Sequence, residues 1–235
     1  NGWNNPMIWL KNIFKGWMHI IIRTNYPDWL ILEVGADSPG GIRKTAEWLK
    51  PDIIVMTRFG KVPVHIEFFN SVEDLIQEDG SLIKSLKADG ILVLNNDDED
   101  VRSFINKTEN KVITYGTNGG ADIFGTNYRI LYGIDKNGKF PTGIQFKVES
   151  DGKSAQVVIM GIIGNHHIYP ALSAIAVGVS QGLNVDKMAK TLRNHDTPLG
   201  RMKLIKGIKN SIIIDDTYNS SPVALEEALR TLQTI

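Results

Sequence analysis

Apolar positions along this chain fall into two rhythms. Three short runs are continuous: Asp28-Trp-Leu-Ile-Leu-Glu33, Pro51-Asp-Ile-Ile-Val-Met-Thr57 and Ser211-Ile-Ile-Ile-Asp215-Asp216, each bounded by turn residues or charges. Runs of this kind predict parallel strands covered on both faces. Between them the apolar residues recur at helical spacing. From Trp29 onward the pattern predicts strand 29–34, helix 42–49 after Gly40-Gly41, strand 52–57, and helix 71–87 opened by a capping box at Ser71-Val-Glu73-Asp74. Strand 90–95, helix 99–107 and strand 111–115 follow, an alternation expected of βαβ units. Residues 121–161 change to strand-like runs with Gly/Asn/Asp turns, including Asp135-Lys-Asn137-Gly138, and predict an antiparallel meander. Helices 167–182 and 186–194 come next, then a linker at Thr197-Pro198-Leu199-Gly200 and a new strand–strand–helix unit over 202–235. The expected fold class is α/β: a mostly parallel sheet flanked by helices with a small antiparallel meander, followed by the start of a second, Rossmann-like α/β domain. The domain boundaries read as 1–199 and 200–235.

The segment from Trp3 to Trp29 carries Leu10, Ile13, Phe14, Trp17 and Ile21 at helical spacing, with Lys11 and Lys15 off that stripe. Such a helix packs on the sheet or on a neighbouring subunit, or it lies on a membrane surface with its basic face outward. The first residue is Asn, and Glu226 to Ile235 stop inside a helical pattern, so the sequence reads as a piece of a longer protein.

Composition narrows the classes. Lys+Arg and Asp+Glu balance at 26 each, which argues against a nucleic-acid partner. The absence of cysteine excludes a disulfide framework and a thiol nucleophile. No run reaches the ~18 apolar residues of a membrane span, and no signal peptide opens the chain. The expectation is a cytoplasmic protein.

In open α/β sheets the ligand crevice lies outside the carboxyl ends of the strands, so polar groups ending apolar runs are the candidates. Glu33 ends the first run; buried, it needs backbone amides or a metal. His65 follows the second run and is either a loop histidine or, beside Glu33, part of a magnesium or manganese site. Asn95-Asn-Asp97-Asp98 follows strand 90–95 and suits either turns and caps or a ligand. His166-His167 opens a helix, where a histidine can cap or meet a nucleotide base. Arg201, after Gly200, is placed to reach a phosphate. Gly133-Ile-Asp-Lys-Asn-Gly138-Lys139 matches a phosphate-loop pattern, but Phe140 replaces the metal-binding Ser or Thr, and the segment lies between meander strands. It carries no nucleotide.

Taken together the motifs resemble the Mur ligase family, most of all its D-alanyl-D-alanine-adding branch. The matching stretches are Leu32-Glu33-Val-Gly35-Ala-Asp-Ser-Pro39-Gly40, Lys50-Pro51-Asp52, His65-Ile-Glu67-Phe-Phe, Asp89-Gly90 through Asn95-Asn-Asp97-Asp98, Gly164-Asn-His166, Gly200-Arg201-Met and Asp215-Asp216-Thr-Tyr218-Asn219-Ser-Ser-Pro222. The resemblance implies a ligase that uses ATP and Mg2+ to turn the carboxyl of a UDP-MurNAc-peptide into an acyl phosphate, which the amine of D-alanyl-D-alanine attacks. It implies that Glu33 holds magnesium, His65 ligates a second magnesium, His166 lies by the adenine, Arg201 approaches the γ-phosphate and Asp216 holds the ribose. Asn95 counts among the nucleotide-binding residues.

Three departures stand out. The family's P-loop lies upstream of the matched region, so the piece is expected to be inactive alone. The family's carbamylated, metal-bridging lysine aligns with Asp79, a shorter carboxylate, so either the metal spacing changes, or Lys84 one turn further on substitutes, or the site is weakened. The two asparagines after the adenine-facing histidine are His167 and Pro170 here. Alternatives are a folyl-polyglutamate or cyanophycin-type ligase, or a non-catalytic binding module descended from a ligase.

Overall fold

A computed structural model describes residues 5–22, 27–60, 63, 65–136, 138–218 and 222–235. The chain divides into two compact units, Asn1–Val34 and Gly35–Ile235.

In the first unit, helix α1 (Pro6–Ile21) starts with a proline at its first position, and the Asn5 side chain accepts a hydrogen bond from the Met7 amide at 3.0 Å. This is a regular cap for a helix N-terminus. None of its residues is buried. Residues 27–34 form no strand, and Trp29, Leu30, Ile31 and Leu32 are exposed. The expected strand 29–34 is therefore corrected. An apolar run becomes a strand only when a ladder partner and covering layers are present, and no described strand pairs with this segment.

The second unit is built on a six-stranded sheet in the order β1 (Ile53–Met56), β2 (Ile91–Asn95), β3 (Lys111–Gly116), β4 (Ile123–Asp135), β5 (Gly138–Ser150), β6 (Lys153–Met160). Neighbours from β1 to β4 run parallel, and β4 to β6 form the antiparallel meander. The β4–β5 hairpin closes with Asp135 opposite Gly138, so Gly133 to Lys139 lies in a hairpin with no helix after it. Asn137 lies outside the described residues.

Both faces of the parallel part are covered, as continuous apolar runs require. Leu92 and Leu94 of β2 face a layer containing Ile76 of α3 (Val72–Gly80) and Val101 of α4 (Glu99–Arg102). Val93 faces the opposite layer, with Leu172 and Ile175 of α5 (Ile168–Ser180) and Ala189 of α6 (Val185–Leu192). The Ser71 hydroxyl caps α3 by accepting from the Asp74 amide at 3.1 Å, as predicted. Past Gly80 the helix tightens to a 3-10 turn over Ser81–Ser85, where the Ser81 and Ser85 hydroxyls bond back to the Glu78 and Leu82 carbonyls. Serine hydroxyls compete with the regular ladder in this way.

The third apolar run does form a strand, but not a parallel one. β8 (Ile212–Asp215) pairs antiparallel with β7 (Lys203–Lys206), and α7 (Pro222–Leu232) follows. The Leu204 amide donates to the Gly161 carbonyl at 3.0 Å, which ties this pair to the end of β6. β8 is only half-buried, because a two-stranded sheet offers one ladder and little cover.

Candidate nucleotide site

The carboxyl ends of β1, β2 and β3 form a polar rim. Asn95 at the end of β2 is buried, and its Oδ1 accepts from the Asp97 amide at 3.0 Å. Asp98 caps α4 through Oδ1, taking the Val101 amide at 3.0 Å, while Oδ2 takes the Phe59 amide beyond β1 at 3.0 Å. Asp97 is saturated: Oδ2 accepts from the Thr117 amide (2.6 Å), the Thr117 hydroxyl (2.8 Å) and the Tyr169 hydroxyl (2.9 Å), and Oδ1 accepts from the Asn118 amide (3.1 Å). This loop is therefore occupied with turns and caps. Gly116 completes it, because a Cβ there would lie 2.5 Å from Asp97 Oδ1. Gly116→Ala is expected to lower stability by roughly 1–3 kcal/mol through overpacking, read as a lower urea midpoint at unchanged slope.

A second cluster gathers where α5 begins. Gly164 has φ 114 and ψ 133, a backbone region that glycine reaches without strain. Its amide donates to the Tyr128 hydroxyl at 3.2 Å. A Cβ at Gly164 would lie 2.7 Å from Cε1 of His166, so the bare backbone is what lets that ring sit where it does. The His166 and His167 rings lie 4.3 Å apart between centroids. Nδ1 of His166 and Nε2 of His167 are buried and have no hydrogen-bond partner within the chain. Burial lowers the His166 pKa, with Glu227 and Asp216 opposing the shift. Burial also pushes His167 down to about 3, helped by the neighbouring His166 and His195. Both rings are therefore neutral at pH 7. A neutral imidazole suits the edge of a base better than a phosphate, and these unpartnered, covered nitrogens meet a ligand only if the rings turn outward.

Asp216 stands in the same cluster, close enough to His166 to act on its charge, and its Oδ1 accepts from the Met202 amide at 3.2 Å. Arg201, one residue earlier, is exposed and holds its guanidinium carbon 4.6 Å from the Tyr218 ring centre. The structure thus brings together His166, Asp216 and the Arg201–Met202 turn, from segments that the sequence treats as distant.

Three candidates remain. His65 lies exposed in a left-handed turn at φ 69, its ring stacked 6.2 Å from Phe68. Asp79, near the end of α3, is half-buried. Desolvation pushes its carboxyl up to about 6, against an Ala36 backbone hydrogen bond and with help from the Glu78 charge. Glu33 is exposed in the first unit. These are donors of the chemistry magnesium takes, but among the described residues no three His, Asp or Glu side chains converge to hold a metal.

Sequence reasoning passed over Glu78. It is buried between α2 (Gly41–Trp48) and α3, accepts from the Arg43 amide at 3.2 Å and pairs with the Arg43 guanidinium at 3.3 Å. Burial raises its pKa, but the Arg43 and Gly40 backbone bonds and the Arg43 charge outweigh that and hold it below the ordinary value. It borders a cleft of about 710 Å³ that also takes in Lys84 and Phe69. The only local signal was a carboxylate beside Leu75 and Ile76 on the buried face. Tyr169, Thr117 and Glu227 offered none.

The profile of the Mur ligase middle domain matches residues 21–178. The UDP-N-acetylmuramate–L-alanine ligase of Aquifex aeolicus is 28% identical over 204 residues, covering 87% of this chain and 41% of that protein. The UDP-N-acetylmuramoyl-tripeptide–D-alanyl-D-alanine ligase of Escherichia coli is 25% identical over 207 residues, with 87% and 43% covered. In fold, the chain resembles the MurF ligase of Thermotoga maritima solved with ADP, at a TM-score of 0.75 and 24% identity over 89% of this chain and 46% of that one. The chain spans less than half the length of each.

Proposed function

Because the chain belongs to the Mur ligase family through its middle domain, we propose that it forms the nucleotide-binding part of an ATP-dependent carbon–nitrogen ligase of peptidoglycan precursor synthesis. The observation that carries this reading is the cluster at the start of α5: two neutral imidazoles with unpartnered ring nitrogens, of which His166 lies within the field of the Asp216 carboxylate. Hydrogen-bond partners of that kind fit an adenine edge and ribose hydroxyls respectively. ATP supplies the phosphoryl group that activates a substrate carboxylate, and an amine then displaces phosphate as the amide forms.

The contributions of this chain are to bind and to orient. His166 meets the adenine, Asp216 accepts from the ribose hydroxyls, and Arg201, free to leave Tyr218, neutralises charge on the phosphates. Asn95 acts on the nucleotide indirectly, by shaping the rim. The metal roles of Glu33, His65 and Asp79 belong to the same proposal and rest on the family resemblance.

For the substrates, we propose a UDP-MurNAc-tripeptide and D-alanyl-D-alanine, on the strength of Asp215 to Pro222. Asn219, Ser220 and Ser221 of that stretch lie outside the described residues. Relatives named for L-alanine addition and for D-alanyl-D-alanine addition both match the chain, so the amine is the point to test. ATP-dependent phosphate release should be measured in the protein that carries this chain. The expected result is turnover with UDP-MurNAc-tripeptide plus D-alanyl-D-alanine and none with UDP-MurNAc plus L-alanine. The reverse would move it to the other branch, and no turnover with either pair would favour a non-catalytic descendant.

A further inference from the structure

We propose that Asp97 is a positioning residue for the Gly164–His167 turn, acting through the hydroxyl of Tyr169. The proposal deepens the reading of His166 as the adenine-facing group and rests on it for its functional consequence.

Asp97 looks like a ligand-binding acid in the sequence, yet its oxygens are already taken. Four donors reach it, three of them from Thr117 and Asn118 beyond β3. The fourth, the Tyr169 hydroxyl, comes from a different layer and is separated from it by 72 residues of chain. That hydroxyl also lies 3.1 Å from the Thr117 hydroxyl, but both hydroxyl protons point to the carboxylate, so Asp97 is the group of the rim that holds this side chain of α5. A carboxylate taking several donors is a strong and directional anchor.

Tyr169 sits three residues after His166, in the first turn of the helix that the His166-His167 pair leads into. Positions three apart share a face, so anchoring one sets the rotation of the other about the helix axis. The far side of the His166 ring is closed by the backbone of Gly164, where no Cβ fits. His166 is therefore held between Gly164 and a turn whose rotation Tyr169 determines. Pro170, in the first turn of α5, removes no needed donor there and stiffens the same turn. Gly116, by leaving space for the Asp97 carboxylate, belongs to the same device. In this way the rim of the parallel sheet is coupled to the imidazole pair without Asp97 touching a ligand.

The test uses the protein that carries this chain, labelled on its histidines, with NMR of the imidazole resonances and ATP as the titrant. Tyr169→Phe keeps the ring and removes only the hydroxyl. It is expected to shift the His166 and His167 resonances in the ligand-free chain and to weaken ATP binding roughly tenfold, the effect of losing one charge-assisted hydrogen bond. Asp97→Ala should move the same resonances in the same direction, and the double variant should add little to either. A role confined to stability would lower the thermal midpoint and leave the ring resonances in place. Unmoved resonances in Tyr169→Phe, or fully additive shifts in the double variant, would overturn the proposal. His166→Ala separates the two readings: if ATP binding survives it, the nucleotide assignment falls, while the ligand-free resonances still decide whether Asp97 positions the turn.

Discussion

Gly164→Ala is expected to lose roughly 2–6 kcal/mol of stability and to weaken ATP binding more than any other single methyl added near the imidazole pair. Two costs combine. A side chain at φ 114 and ψ 133 is strained, at roughly 1–3 kcal/mol for such backbone regions. The new Cβ would also lie 2.7 Å from the His166 ring and 3.3 Å from the Thr231 hydroxyl of α7, and overpacking of this kind adds roughly 1–3 kcal/mol. The His166 ring is the softer neighbour, so it should swing away and carry the nucleotide contact with it. Urea unfolding gives the first number and an ATP titration the second. Wild-type stability together with wild-type binding would mean that the turn relaxes without disturbing His166.

Acid is expected to loosen the same region. Burial holds His167 at about 3 in the folded chain, against an ordinary value of 6.5. Between those values the unfolded chain binds a proton that the folded chain refuses, so stability falls as pH falls. One such group contributes about 1.4 kcal/mol per pH unit. His166 acts in the same direction, and Asp216 and Glu227 moderate it by favouring its charged form. Asp79 works the other way: its carboxyl, raised to about 6, makes the folded chain bind protons more readily below that pH and gain stability. Wild-type unfolding alone would mix these slopes. His167→Phe separates them, since the ring volume is nearly kept and only the imidazole titration is lost. The difference in stability between wild type and His167→Phe should shift in favour of the variant by a few kcal/mol from pH 6.5 to 4.5. The window stays at or above the range where Glu78, whose pKa is held below 4.5, begins to lose its contribution. A difference independent of pH would show that His167 is solvated in the folded chain.

The effects that act within a few residues were legible in the sequence. The apolar runs of β1 and β2 were read with their ends within a residue or so, because a doubly covered strand needs such a run. The Ser71 cap and the Asp135–Gly138 hairpin were equally plain, since a cap or turn is decided by residues two or three apart. The same logic misread 29–34, where the apolar run is present but the ladder is not.

What only the tertiary structure decided is who meets whom. The Asp97 carboxylate reads as a ligand until Tyr169, 72 residues on, is seen to occupy it. Glu78 reads as a surface acid of a helix until Arg43, 35 residues earlier, is found against it. His166 and Asp216 are joined in the sequence only through the family resemblance, and folding is what places them in one field. Hydrophobic period and turn chemistry determine elements because their energies are local. The partners of a buried polar group depend on how those elements pack, and that packing alone sets whether a carboxylate is saturated, paired or left open for a ligand.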